Sequence, residues 1–163
     1  MIRKLHSNDT IKTITLMNEY IEANKDSPSI SMLDRKESVW VSYLVNAIHE
    51  QLSNNPHYIV VGDFDNNNNL NGFILAASFQ SYYNNSTIMD IKDCVVKPGD
   101  KNGAYIVVRL FNEVMNHIKQ YGGKHWRADS IRVNEDSLKY GKFLQKKYGG
   151  VIHFSVNGII KET

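Results

Sequence analysis

Apolar residues recur along this chain with two different periods, and the switches between them mark out its elements. Met1 to Leu5 reads as a short strand. Ile11, Ile14, Met17 and Ile21 then fall on one face of a helix that Asn8 or Asp9 would cap. Ser27, Pro28 and Ser29 break the pattern. A second helix is predicted from about Asp34 to Leu52, with Trp40, Leu44, Ala47, Ile48 and Leu52 as its apolar stripe.

The period then shortens. His57 to Asp65, Leu70 to Gln80 and Thr87 to Val96 read as three strands joined by polar turns, an antiparallel meander. Asn66 to Asn69 cannot pack a core but tolerate left-handed geometry, so they suit a hairpin loop; a functional low-complexity tract is the alternative. A loop over Lys97 to Gly103 opens into a helix from about Ala104 to Tyr121. Its predicted buried face is Ala104, Val107, Val108, Phe111, Val114, Met115 and Ile118, and Gly122 and Gly123 end it. His125 to Arg132 reads as a strand, Glu135 to Tyr148 as a helix stopped by Gly149 and Gly150, and Val151 to Ile160 as a last strand. The pattern predicts an α/β (α+β) protein with a mixed, mostly antiparallel central sheet flanked by helices. With 163 residues, no internal repeat and no linker, residues 1–163 are expected to form a single domain.

Composition narrows the function classes. A hydrophobic fraction of 42% supports a packed core, and 19 basic against 17 acidic residues give a formal charge of +2, no general signal for nucleic acid. The abundance of Asn, and of Lys over Arg, is what AT-rich coding would produce. The lone cysteine, Cys94, has no internal disulfide partner, and no Cys/His cluster has zinc spacing. No apolar run reaches membrane-helix length and the basic start lacks the apolar stretch of a signal peptide, so a soluble, cytoplasmic protein is expected.

The order strand, two helices, three-strand meander, loop, helix, strand, helix, strand resembles that of the GCN5-related N-acetyltransferases, the GNAT superfamily, over nearly the whole chain. The local likeness lies in Val96-Lys97-Pro98-Gly99-Asp100-Lys101-Asn102-Gly103-Ala104-Tyr105-Ile106. That family reads V-x-P-x-x-R-G-x-G-x-G there, and its loop amides bind the pyrophosphate of coenzyme A. Val96 and Pro98 match. Lys101 stands for Arg or Gln, Asn102 replaces the first Gly, Gly103 is one place off, and Ala104 and Ile106 take the other two Gly positions. Free amides at a helix N-terminus and the helix dipole suit an anion, and glycine lets it approach. Asp100 adds an opposing charge and Ile106 adds bulk. A plain strand-to-helix turn is the alternative reading of this loop.

The resemblance implies acetyl-CoA as cofactor, with Val96 pairing its backbone to the pantetheine arm and Lys101, Asn102, Gly103 and Ala104 cradling the pyrophosphate. It also implies a direct attack of an amine on the thioester, which needs a base for the amine and an acid for the thiolate. Asp90 and Asp93 are the candidate bases. Strict alternation would put them on opposite faces of their strand, and each has a solvent-facing or hairpin-paired carboxylate as its alternative. The family's acid Tyr sits in a Tyr-x-x-x-Gly-Phe-like helix end, where this chain has Gln145; neither Tyr140 nor Tyr148 holds that position, and Tyr148 reads as a packing residue. Cys94 lies near the expected pantetheine path but reads as a small buried hydrophobe. Lys139, Lys142, Lys146 and Lys147 make a solvated face or attract an acidic partner.

Two functions follow from the resemblance. The first is an acyl-CoA-dependent N-acetyltransferase acting on a small-molecule or protein amine. The second is a catalytically inactive GNAT-fold scaffold or a virion- or assembly-associated binding protein, since virion-associated phage domains of this kind exist. Its composition is compatible with a phage, which would place it in the host cytoplasm or the virion, with a homo-oligomer or a virion assembly as its setting.

Overall fold

The computed structural model describes residues 1–26, 36–54, 56–80, 87–120, 125–128 and 135–149, the stretch 135–140 by its backbone alone. The predicted last strand, His153 and the side chain of Tyr140 lie outside what is described. Strand β1 (Ile2–Lys4) leads through a 3-10 turn (Ser7–Asp9) into α1 (Thr10–Ala23), and α2 (Glu37–Glu50) follows. Strands β2 (Tyr58–Phe64), β3 (Leu70–Gln80) and β4 (Thr87–Val96) form the meander. Helix α3 (Gly103–Gln120), strand β5 (His125–Ala128) and helix α4 (Glu135–Tyr148) complete the order.

The sheet runs β1-β2-β3-β4-β5. Its first three pairings are antiparallel and β4 pairs β5 in parallel, joined through α3. A parallel neighbour needs a crossover, and α3 supplies it. The sheet is therefore mixed and mostly antiparallel, as the pattern predicts.

Each face of the sheet has its own core. On one side Ile59, Val61, Ile74, Ala76, Met89 and Ile91 pack under Ile106, Leu110, Phe111, Val114, Met115 and Ile118 of α3. On the other, Val60, Phe64, Phe73, Leu75 and Val95 meet Leu16 and Met17 of α1 and Leu44, Ala47 and Ile48 of α2. Both faces being covered explains why β2 and β3 read as nearly continuous apolar runs.

Helix faces are rotated from the sequence prediction in three places. In α1 the buried residues are Thr13, Leu16 and Met17, while Ile11 is 78% exposed. Thr13 is accommodated because its hydroxyl donates to the Asp9 carbonyl at 2.9 Å. Leu52 falls beyond the end of α2 and is exposed, and Ala104 lies on the outer side of α3, whose inner stripe instead starts at Ile106. The Asn run is a turn: Asn68 has φ 61°, and Asp65 Oδ1 accepts the amides of Asn67 and Asn69, both at 2.8 Å. Asp9 does not cap α1 with its side chain. Its carboxylate takes both ends of the Arg3 guanidinium, at 2.6 and 2.9 Å, and the His6 amide at 2.9 Å.

Gln51, at the end of α2, is buried and brackets the start of the sheet. Its Nε2 donates to the Leu5 carbonyl at 2.7 Å, and its Oε1 accepts the Val60 amide at 2.9 Å. Replacing it with Leu keeps the volume but strands a buried carbonyl and a buried amide. Gln51→Leu is therefore expected to lower unfolding free energy by about 2–4 kcal/mol in urea titrations. A cost under about 0.5 kcal/mol, the scale of ordinary surface changes, would show the bracket to be incidental.

Candidate active site

The feature that organises the site is an irregularity in β4. Its pairing with β3 matches Leu75 to Asp93 and Ala76 to Ile91, leaving Lys92 as an extra residue without a partner. A bulge of this kind resets alternation beyond it. Before the bulge, Asp90 pairs Ala77, in the row that continues to Tyr58, on the α1/α2 face. After it, Asp93 pairs Leu75, which belongs to that same face. Asp90 and Asp93 thus share one face, where strict alternation had set them apart. Cys94 and Val96 turn to the α3 side.

The two carboxylates have different surroundings. Asp90 is 2% exposed, and Arg127 of β5 reaches it with Nη2 at 2.7 Å and Nε at 3.3 Å. Lys92 contacts the same Oδ2. Burial pushes the Asp90 carboxyl up, but hydrogen bonds and charge from Arg127 and Lys92 outweigh it and hold the group below the ordinary carboxylate range. Such a group is a poor proton acceptor near neutrality. Asp93 is half-buried and lies beyond the bulge, nearer the loop.

Tyr43 of α2 stands over this face. Its ring meets Tyr58 edge-on, with centroids 5.5 Å apart and planes at 86°. Burial, then the neighbouring Tyr58 and the charges of Asp93 and Asp90, pushes the Tyr43 hydroxyl up to about 12. Phe79 lies at the lower edge, with the Arg127 guanidinium 5.2 Å from its ring centre. Half-exposed Ala77 is the small residue between Tyr58 and Asp90 in that row. Sequence reasoning missed Tyr43, Tyr58, Lys92 and Arg127. Tyr43 flanks the apolar stripe Trp40-Leu44-Ala47, which was its only signal.

At the top of β4, Val96 pairs Gly72 and leads into the loop. The described pairing of β4 to β5 covers Ile88 to Ile91, opposite His125 to Ala128. Gly99 takes φ 76°. The loop amides already have uses: Asn102 N–H donates to Asp100 Oδ1 at 2.7 Å, and Gly103 N–H to the Asp100 carbonyl at 3.0 Å. Lys101, Asn102 and Ala104 are exposed. Gly103 has space, since a Cβ there would meet only Val96 Cγ1 at 3.5 Å. Ile106 does not crowd the loop: it is 4% exposed and packs on Gly72, whose own Cβ would lie 2.9 Å from Ile106 Cγ2.

Tyr148 donates to Asn112 Oδ1 at 2.6 Å and packs near Phe111 and Trp126. Gln145, Lys142, Lys146 and Lys147 are exposed. The Cys94 thiol, packed against the α3 core, is pushed up to about 12 by burial and then by the charge of Asp93. Among the described residues no three His, Cys, Asp or Glu side chains gather as a metal site, and no helix is long and apolar enough to cross a membrane.

Solved structures carry this fold. The chain superposes on a mutant of the BH1408 protein from Bacillus halodurans with TM-score 0.76, 15% identity and 98% of each chain covered. A ribosomal-protein-alanine N-acetyltransferase from Brucella melitensis biovar Abortus 2308 matches at TM-score 0.65 and 17% identity, again over 98% of each chain. An aminoglycoside antibiotic 6'-N-acetyltransferase from Acinetobacter haemolyticus matches at 0.68 and 11% identity, covering 100% of this chain and 99% of that one. No family model matches the sequence, and no curated protein does. The fold is that of the GNAT acetyltransferases, the resemblance read from the order of elements.

A second buried acid gives the site a contrast of sign. Asp63, 1% exposed on the α3 face, has an Oδ2 that lies 3.2 Å from Arg109 Nη1 without hydrogen-bond alignment. Burial pushes its carboxyl up, only partly offset by Arg109. A raised folded value makes the wild type lose stability as pH climbs from the unfolded carboxylate value of about 3.9 through the folded one. Asp90 does the reverse: its contribution is present above about 3.9 and is lost as pH falls through its lower folded value. In denaturation series from about pH 3 to pH 7, Asp63→Asn should flatten a decline and Asp90→Asn should remove a rise. Curves of the same sign for both variants would contradict these environments.

Proposed function

We propose that this protein is an N-acetyltransferase that uses acetyl-CoA and accepts an amine on the α1/α2 face of β4. The observation that carries the reading is the junction where parallel β4 and β5 meet, with Asp93 on one face, Val96 above it and a loop opening into α3. Acetyltransferases of known structure share the fold. Acetyl-CoA would supply the thioester, with Val96 beside the pantetheine arm and Lys101 to Ala104 at the pyrophosphate.

Of the two acids, Asp93 is the better base, because Asp90 is already held by two cations. Asp93 would take the ammonium proton, directly or through water, as the amine attacks the thioester carbonyl and the thiolate leaves. A thiolate of pKa near about 8.5 departs with less acid help than an alkoxide, so the absence of a Tyr at the Gln145 position is tolerable. Tyr43 and Tyr58 would line the amine's approach. The acceptor class, a small molecule or a protein amine, follows the neighbours, which include an aminoglycoside and a ribosomal-protein acetyltransferase.

A scaffold that retains the fold without turnover is the second reading. Asp100 favours it, since its carboxylate and carbonyl occupy the Asn102 and Gly103 amides that an anion would need. Thermal unfolding with acetyl-CoA separates the two. A ligand at 100 times its Kd stabilises by about 2.7 kcal/mol, a shift of several degrees for a domain of this size. Wild type should show that shift, Asp100→Ala a larger one at equal ligand, and Gly103→Asp none. No shift in wild type or in Asp100→Ala at millimolar ligand would remove the acetyl-CoA reading and leave the scaffold.

A further inference from the structure

Asp90 has more contacts than any role as a base would use. Its carboxylate reaches across to Arg127 on β5 and along its own strand to Lys92, the extra residue of the bulge. The row Asp90↔Arg127 lies between Met89↔Trp126 and Ile91↔Ala128, next to the bulge at Lys92. The acid is buried, while the side chains of Arg127 and Lys92 are 51% and 41% exposed. Buried charge of this kind is sustained only by its partners, and removing one leaves the rest uncompensated.

The bulge needs such support. An extra residue in an antiparallel pair can migrate, and each one-residue slip turns the side chains it passes to the opposite face. Beyond Lys92 such a slip would move Asp93 under α3 and bring Cys94 out to the α1/α2 face. We propose that Asp90 is a positioning residue whose carboxylate, shared between Arg127 and Lys92, clasps β4 to β5 and pins the bulge, so that Asp93 stays on the amine-accepting face. The clasp stands on the structure alone. Its consequence for catalysis rests on the reading of Asp93 as the base.

Cys94 reports on the clasp without any activity, because it is the single cysteine of the chain and its half-buried side chain packs on the α3 side. Labelling of the folded protein with a chromogenic aryl disulfide should be slow in wild type. Asp90→Asn, Arg127→Gln and Lys92→Gln should each speed it by about tenfold or more, through local opening of β4. Asp90→Asn combined with Arg127→Gln should be no faster than the faster single change, the non-additivity of a shared contact. Arg127→Lys, which keeps charge but loses the two-pronged reach, should fall between. If Asp90→Asn does not fold, the two half-exposed partners still decide the matter. Wild-type labelling rates in both Arg127→Gln and Lys92→Gln would overturn the clasp.

Acetyl transfer from acetyl-CoA to a panel of amines (tyramine, spermidine, kanamycin and a lysine peptide) tests the consequence. Asp90→Asn should lower kcat while keeping the rising limb of the pH–rate profile, and Asp93→Asn should abolish that limb. Loss of the limb in Asp90→Asn would make Asp90 the base itself and sink the positioning role. If wild type acetylates none of the panel, the catalytic reading is what fails, and the labelling series still decides the clasp.

Discussion

A single unpaired residue, Lys92, governs the geometry of the site. Strand alternation assigns faces by counting, and one extra residue changes the count for everything that follows. With the bulge, Asp90 and Asp93 share the α1/α2 side, and Cys94 and Val96 turn toward α3. The same irregularity lies one residue beyond Ile91, which pairs Ala128 of β5. The register of β4 against β3 and its contact with β5 thus meet at one place. The buried carboxylate that touches both is Asp90.

The two faces carry charge differently. On the α1/α2 side Asp90 has aligned partners and stays ionised at low cost, whereas on the α3 side Asp63 has a cation at ion-pair distance but no aligned hydrogen bond on Oδ2. Both are nearly inaccessible, so burial alone does not distinguish them. Alignment does: a carboxylate that accepts good hydrogen bonds offsets its desolvation, and one that does not is pushed toward protonation. On the proposed reading, the amine meets the face whose buried charge is fully satisfied. Tyr43 and Tyr58 add an aromatic wall there.

The loop after β4 has two demands on it. Asp100 shapes the turn by accepting the amides of Asn102 and Gly103, which organises the entry to α3. Those are also the amides an incoming phosphate would seek. A loop built this way is pre-shaped but not pre-emptied, so anion binding must compete with an internal carboxylate. Ile106, which looked obstructive beside the family's glycine pattern, is taken out of the way by packing on Gly72.

Much of the architecture was legible in the chain itself. The meander, the hairpin at Asn66–Asn69 and the boundaries of β3 and β4 follow from local period and turn chemistry, which act over a few residues. The switch to helix at Gly103 was legible for the same reason, and so was Tyr148 as a packing residue. Helix faces were less secure: Ile11 and Ala104 fit a periodic stripe but lie outward, because the docking of a helix on the sheet selects which side of the stripe is covered. The site itself depended on tertiary structure. Nothing local marks Lys92 as an extra residue, since a bulge exists only relative to the partner strand that skips it. Arg127 lies 37 positions from Asp90 and is joined to it by the crossover through α3. Tyr43 meets Tyr58, and feels the charges of Asp93 and Asp90, only because α2 packs across the sheet. By itself the sequence determined which elements form and in what order. Which acids share a face, and which cations Asp90 meets, was decided by strand register and helix docking, both set by contacts between residues far apart in the chain.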